Sequence, residues 1–161
     1  MERPRNVVTL NEGDTPLIEA RTLSDRLGLG RVFIKDESRN PTGSFKDRGA
    51  SVTVSRCREL AVEQLILASS GNAAASYATY SDIAGLRFVG LIREETAEIH
   101  RLQLRMTTSE VFELEGDMAD GTAVAAALAD GFGFFHCAQP YNLYRIEGKK
   151  TLAYEISEAL G

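Results

Sequence analysis

Tryptophan is absent from this 161-residue chain, and cysteine and histidine occur only twice each. Cys57 and Cys137 have no Cys-x-x-Cys partner, which argues against a disulfide framework and leaves two buried, reduced thiols as the expectation. His136 and Cys137 are neighbours, and neighbours on a strand point to opposite faces, so ordinary packing accounts for them better than a metal does. No apolar stretch is long enough to span a bilayer, and Met1-Glu2-Arg3-Pro4-Arg5 lacks the apolar run of a secretory leader. A cytoplasmic location with no membrane partner is therefore expected. The net charge of −5 speaks against nucleic acid as a partner, because phosphate-backbone binding wants a basic face.

Lysine is the other scarce residue. Fourteen arginines face only four lysines: Lys35, Lys46, Lys149 and Lys150. Arginine effectively never gives up its proton, so a lysine is the choice where a deprotonated amine is needed. These four positions are the first to weigh for chemistry.

No internal repeat or low-complexity linker interrupts the chain. After a short opening segment holding Thr15-Pro16-Leu17-Ile18, the pattern predicts a helix over 21–27 and a strand over 31–36. A helix over 44–60 follows, with Ser44 as its N-cap and Asp47 in its first turn. From there strands at 65–68, 86–92, 111–114 and 132–137 alternate with helices at 72–84, 97–106 and 117–129. A last helix over 147–160 carries Leu152, Ile156 and Leu160 on one stripe. Such alternation indicates an α/β fold, a parallel open sheet with helices on both faces. Ligands in these folds bind beyond the carboxyl ends of the strands, which singles out Ser69-Ser70-Gly71-Asn72.

Two segments could carry chemistry. Lys46 falls in the first turn of a helix, where the exposed N–H groups carry partial positive charge that disfavours an ammonium. A lowered pKa suits attack on an aldehyde, which only the neutral amine performs. A capped helix with a merely solvated lysine satisfies the same spacing. Ser69-Ser70-Gly71-Asn72 joins a strand to a helix, so it offers either an anion cradle or a plain serine-capped turn. Asn72 adds an amide able to donate to a phenolate oxygen. Other motifs fail: no Gly-x-Gly-x-x-Gly or Gly-x-Ser-x-Gly is present, and Gly148-Lys149-Lys150 lacks the rest of a P-loop.

Taken together, Asn40-Pro41-Thr42-Gly43-Ser44-Phe45-Lys46-Asp47-Arg48-Gly49 and Ser69-Ser70-Gly71-Asn72-Ala73-Ala74-Ala75-Ser76 resemble the fold type II pyridoxal-phosphate enzymes. Gly13-Asp14-Thr15-Pro16-Leu17 and Lys35-Asp36-Glu37 match the same family. Ser-Ser-Gly-Asn-Ala-Ala-Ala-Ser and Tyr144-Arg145-Ile146-Glu147-Gly148-Lys149-Lys150-Thr151 are similar to the threonine synthases within it. The resemblance implies pyridoxal 5'-phosphate as cofactor and a small amino acid as substrate. It implies that Lys46 bears the cofactor as a Schiff base and shuttles protons, while Asn72 contacts the ring oxygen. Ser69, Ser70 and Gly71 would hold the substrate carboxylate, and Arg145 a substrate phosphate, for which a guanidinium is suited.

The reaction so implied is elimination and replacement on an activated amino acid such as O-phosphohomoserine. One departure opens alternatives: Gln139-Pro140 stands where the family usually has Asn-Ser, and proline removes a donor. O-phosphoserine, serine or threonine chemistry is the neighbouring reading, and a noncatalytic fragment the reading from another class. The resemblance also divides the chain, with 50–140 as the smaller α/β domain and 1–49 with 141–161 as pieces of the larger. The family's glycine-rich loop for the cofactor phosphate has no counterpart in these residues, so a C-terminal half or a second copy is the expected protein partner.

Overall fold

The computed structural model describes residues 4–161, so Met1, Glu2 and Arg3 of the leader argument lie outside the described residues. The chain runs through β1 (Leu17–Glu19), α1 (Arg21–Leu27), β2 (Phe33–Lys35), α2 (Lys46–Glu59), β3 (Gln64–Ala68), α3 (Asn72–Ala84) and β4 (Arg87–Arg93). It continues through α4 (Glu98–Arg105), β5 (Glu110–Leu114), α5 (Met118–Phe132), β6 (Phe135–His136) and α6 (Tyr144–Leu160). Strands β5-β4-β3-β6 form a parallel sheet in that order, and β1 pairs antiparallel with β2 apart from it.

The central strand shows why the chain folds this way. Leu65, Ile66, Leu67 and Ala68 are all buried, the continuous run expected of a parallel strand covered on both faces. Successive side chains alternate: Leu65 and Leu67 pack with α2 and α3 through Val54, Cys57, Ala74 and Tyr77. Ile66 and Ala68 pack on the other face against Ala125 of α5. The result is a three-layer α/β/α arrangement, as the alternation of elements implied. The alanines of α3 do what small residues allow: Ala74, Ala75 and Ala78 are at most 1% exposed. Both cysteines are buried free thiols, and burial pushes the Cys57 thiol up to about 12. Among the described residues no helix is long and apolar enough to cross a membrane.

Several boundaries differ from expectation, strand β2 among them at 33–35 rather than 31–36, and the larger differences have local reasons. Ser44 is not the N-cap: Phe45 takes that place, already in the helical region, and Ser44 Oγ instead accepts from the Lys46 N–H at 3.2 Å. Helix α5 passes Ala129 and ends where Gly133 turns left-handed at φ 71°, which trims the following strand to two residues. Helix α6 starts at Tyr144 rather than 147, because Asn142 Oδ1 accepts the Arg145 N–H at 3.4 Å. Strand β1 is three residues long, too short for alternation to show.

Helices α2 and α6 meet backbone to backbone. A Cβ on Gly49 would lie 2.9 Å from the Arg145 carbonyl oxygen, and one on Gly148 would lie 2.0 Å from that of Arg48. Gly148→Ala is therefore expected to cost about 2–4 kcal/mol, since neither backbone can retreat. Gly131 of α5 has ordinary backbone angles and open space around it. Gly131→Ala should stabilise by about 0.5–1 kcal/mol through helix propensity. Urea denaturation of the two variants should give shifts of opposite sign; equal effects would contradict the close approach.

Candidate active site

Lys46 is the first residue of α2 and is half-buried, with Nζ 3.9 Å from the centre of the Phe45 ring. Its pKa is lowered, by burial first and by the charge of Arg145 second. The expected direction holds, and these causes add to the field of the helix start. Gly43 before it adopts φ 79°, a turn that glycine makes without strain. Asp47 staples this turn. Fully buried, its carboxylate accepts from the Thr42 N–H at 2.7 Å and the Thr42 hydroxyl at 2.5 Å, and that hydroxyl lies 3.0 Å from Ser76 Oγ of α3.

Ser69, Ser70, Gly71 and Asn72 sit between the carboxyl end of β3 and the start of α3. Part of the expected cradle is already engaged: the Ser69 N–H donates to Leu91 O at 2.9 Å. Ser70 Oγ accepts from the Arg93 N–H at 2.8 Å and donates to Met118 Sδ at 3.6 Å. Gly71 caps α3 with extended backbone and no side-chain bond, so the first-turn N–H groups are left to solvent or a ligand. Asn72 is exposed.

Two residues at this face escaped the sequence. His100 of α4 lies against Gly71, with Nε2 3.8 Å from where a Cβ on that glycine would sit. Gln103 Nε2 donates to Thr42 O at 3.1 Å, which turns its oxygen toward His100 Nδ1, also at 3.1 Å. In that arrangement His100 Nδ1 faces the Gln103 oxygen, and Nε2 lies toward the Ser69–Asn72 turn. The other is Asn142, 1% exposed, whose amide donates to Thr53 Oγ1, Tyr77 OH and Cys137 O at 3.0, 3.0 and 3.3 Å. It fixes the start of α6 against α2 and α3. Only the spacing of His100 and Gln103 on one helix face could have hinted at the first; nothing local marks the second.

Arg145 projects from the first turn of α6. Its Nη1 donates to Cys137 O at 3.2 Å, while its buried Nε has no acceptor. Lys149 follows one turn later, with Nζ 5.3 Å from the same Phe45 ring. Behind these groups lies Arg48, its side chain 2% exposed. Its guanidinium donates to Glu37 Oε2 at 2.8 Å, Glu155 Oε1 at 2.5 Å and Thr151 Oγ1 at 2.8 Å. Lys35 joins Glu155 at 2.6 Å, and Asn40 Oδ1 accepts from the Gly13 N–H at 2.9 Å. Every motif segment before β3 is thus tied to α6.

The chain matches the pyridoxal-phosphate dependent enzymes over residues 8–161 and belongs to that family. Its relatives include the threonine synthase of Synechocystis, 39% identical over 96% of this chain, and that of Methanocaldococcus jannaschii, 37% identical over 96%. It spans 41% and 38% of their respective lengths. Among solved structures, maize serine racemase superposes with a TM-score of 0.80 at 21% identity, over 91% of this chain and 44% of that one. The processed form of tomato (Solanum lycopersicum) threonine deaminase isoform 2 gives 0.77 at 28%, over 91% and 40%.

The Arg48 cluster yields a test. Removing the cation leaves Glu155 to Lys35 alone and Glu37 with no cationic partner among the described residues, so Arg48→Met should cost about 3–5 kcal/mol. The hydrogen bond from Arg48, foremost, holds Glu155 down to about 2 from 4.5. A depressed carboxylate pKa stabilises the fold above 4.5, and that stability is lost as pH falls toward 2. Denaturation measured between neutral pH and pH 2 should show this acid-sensitive part shrink in the variant. An unchanged acid limb would mean the pairing contributes nothing.

Proposed function

We propose that this chain contributes the lysine-bearing part of a threonine synthase-like enzyme acting on an activated amino acid such as O-phosphohomoserine. The observation that carries the reading is the Lys46 amine: half-buried, lowered in pKa, and without a carboxylate partner among the described residues. The residues present fit pyridoxal phosphate. A lowered pKa favours the neutral amine that captures its aldehyde, and the uncapped start of α3 and the orphaned Arg145 Nε both call for acidic groups.

In this reading Lys46 and Asn72 hold the cofactor, which when bound supplies an electron sink for the substrate's α-carbon. Lys46 Nζ then moves protons at the substrate. The N–H groups of Ser70, Gly71 and the first turn of α3 bind the carboxylate, with Ser69 fixing the turn through Leu91. Arg145 orients a departing phosphate. Pro140, five residues before Arg145, offers no N–H, which supports O-phosphoserine as a second candidate substrate.

The same reading assigns 1–49 and 141–161 to a larger domain and 50–140 to a smaller one. In support, the β1–β2 pair stands outside the main sheet and shows Ile18 and Ile34, opposite each other and each 48% exposed. A second copy or the remainder of the relatives' length would cover them.

Protein loaded with pyridoxal phosphate should absorb in the near-visible as a protonated Schiff base. Both Lys46→Ala and Lys46→Arg should abolish that band with the far-ultraviolet circular dichroism intact, because arginine stays charged. A band that survives in both variants would assign the cofactor to another amine.

A further inference from the structure

The turn that carries Lys46 and the turn at Ser69–Asn72 belong to different segments, and a short path of side chains joins them. It begins at Thr42, four residues before Lys46, whose carbonyl oxygen accepts from Gln103 Nε2 at 3.1 Å. Gln103 Oε1 faces His100 Nδ1, also at 3.1 Å. The other edge of the half-buried His100 ring rests against Gly71, with Nε2 3.8 Å and Cδ2 3.9 Å from the point a Cβ would occupy. Neither His100 nor Gln103 has a part in the chemistry proposed above.

We propose that His100 is a substrate-positioning residue: its Nε2 takes a second hold on the carboxylate seated at the Ser69–Asn72 turn, and Gln103 sets that hold in register with the lysine-bearing turn. The inference rests on the function proposed above for the place of the carboxylate.

Position supports it first. Gly71 opens α3 with no side-chain cap, so the N–H groups that follow are left for an acidic group. The imidazole edge lies at ordinary contact distance from that same glycine. A group bound at the turn would therefore meet Nε2 as well as the backbone.

The surroundings leave that edge of the ring without an acid. On α4 itself Glu98 pairs with Arg105, in the loop ahead of it Glu95 pairs with Arg93, and on β5 Glu113 pairs with Arg101. Asp82 of α3 accepts from Thr108, and Asp47 beside the lysine turn accepts from Thr42. The cations Arg93, Arg101 and Arg105 are held by these same pairings. Among the described residues no carboxylate pairs with His100.

Gln103 supplies the chemical reason. A neutral imidazole donates from one nitrogen and an imidazolium from both. With the Gln103 oxygen at Nδ1 and a carboxylate at Nε2, both protons of the charged ring find acceptors. A bound carboxylate thus favours the protonated ring, and affinity should rise as pH falls through the range in which imidazoles take up charge. Because Gln103 is itself held by Thr42 O, the ring is placed relative to the turn that carries Lys46.

The chain has only two histidines, so a variant that removes one assigns the ring resonances of both. The full chain loaded with pyridoxal phosphate is titrated at pH 6 and pH 8 with L-threonine and with L-threonine amide, which lacks the carboxylate. Affinity is read by calorimetry and the ring by proton NMR. Wild type should bind L-threonine about tenfold more tightly than His100→Ala at pH 6, with a smaller difference at pH 8. The amide should not distinguish the two proteins, and the His100 resonance should answer L-threonine alone. His100→Gln, whose amide can stand near the place of Nε2, should recover part of the affinity with no added gain at pH 6. The Lys46 band is read in the same samples: its absence alongside His100-dependent binding of L-threonine removes the cofactor assignment and leaves the role of His100 standing. Equal L-threonine affinity in wild type and His100→Ala at pH 6 overturns the proposal with the Lys46 band intact. A His100 resonance that answers both ligands alike, or a wild type that takes up no L-threonine at either pH, overturns it too.

Discussion

The buried guanidinium of Arg48 is the point through which the lysine-bearing face is held in shape. It joins Glu37 from the turn after β2 to Glu155 from α6, and its Nη2 also reaches Thr15 Oγ1 at 3.3 Å. Segments distant in sequence thereby close around one charge. A buried ion pair rarely adds much net stability, because desolvation offsets the attraction. Its value here is geometric: two carboxylates and one fork admit few arrangements, and the accepted one puts the start of α6 beside the start of α2. Lys46 and Arg145 are neighbours as a consequence.

A second constraint works from the other side. Asn142, Thr53 and Tyr77 form a buried polar knot that joins α6 to the layer covering the main sheet. Fully satisfied networks of this kind specify one packing among several that would bury similar apolar area. The lysine face is thus fixed to the four-stranded sheet through side-chain polarity and to the β1–β2 pair through charge.

Much of the architecture was legible because burial leaves a periodic trace. The run Leu65–Ala68 reads as a covered parallel strand, and α1 and α3 fall at the residues their patterns predict. Boundaries set by single side chains were not legible in that way. Asn142 starts α6 early and Gly133 ends α5 late, and neither acts through hydrophobic spacing. Lys46 and Ser69–Asn72 stand out through their resemblance to the family's motifs, because spacing alone fits a capped helix and a plain strand–helix turn equally. That Ser70 is spent on Arg93 and Met118 could not be read, since its partners are 23 and 48 residues away. His100 shows the same limit. Its orientation depends on an amide that depends on a carbonyl in another segment, a chain of contacts with no local signature.

The contact of Gly49 with Gly148 has a bearing on motion. Helices that touch through side chains can slide as rotamers change, but two backbones in direct contact can only move together. The openings of α2 and α6, with Lys46 and Arg145, therefore behave as one rigid unit. Ordering those two helix starts around a ligand costs little in consequence.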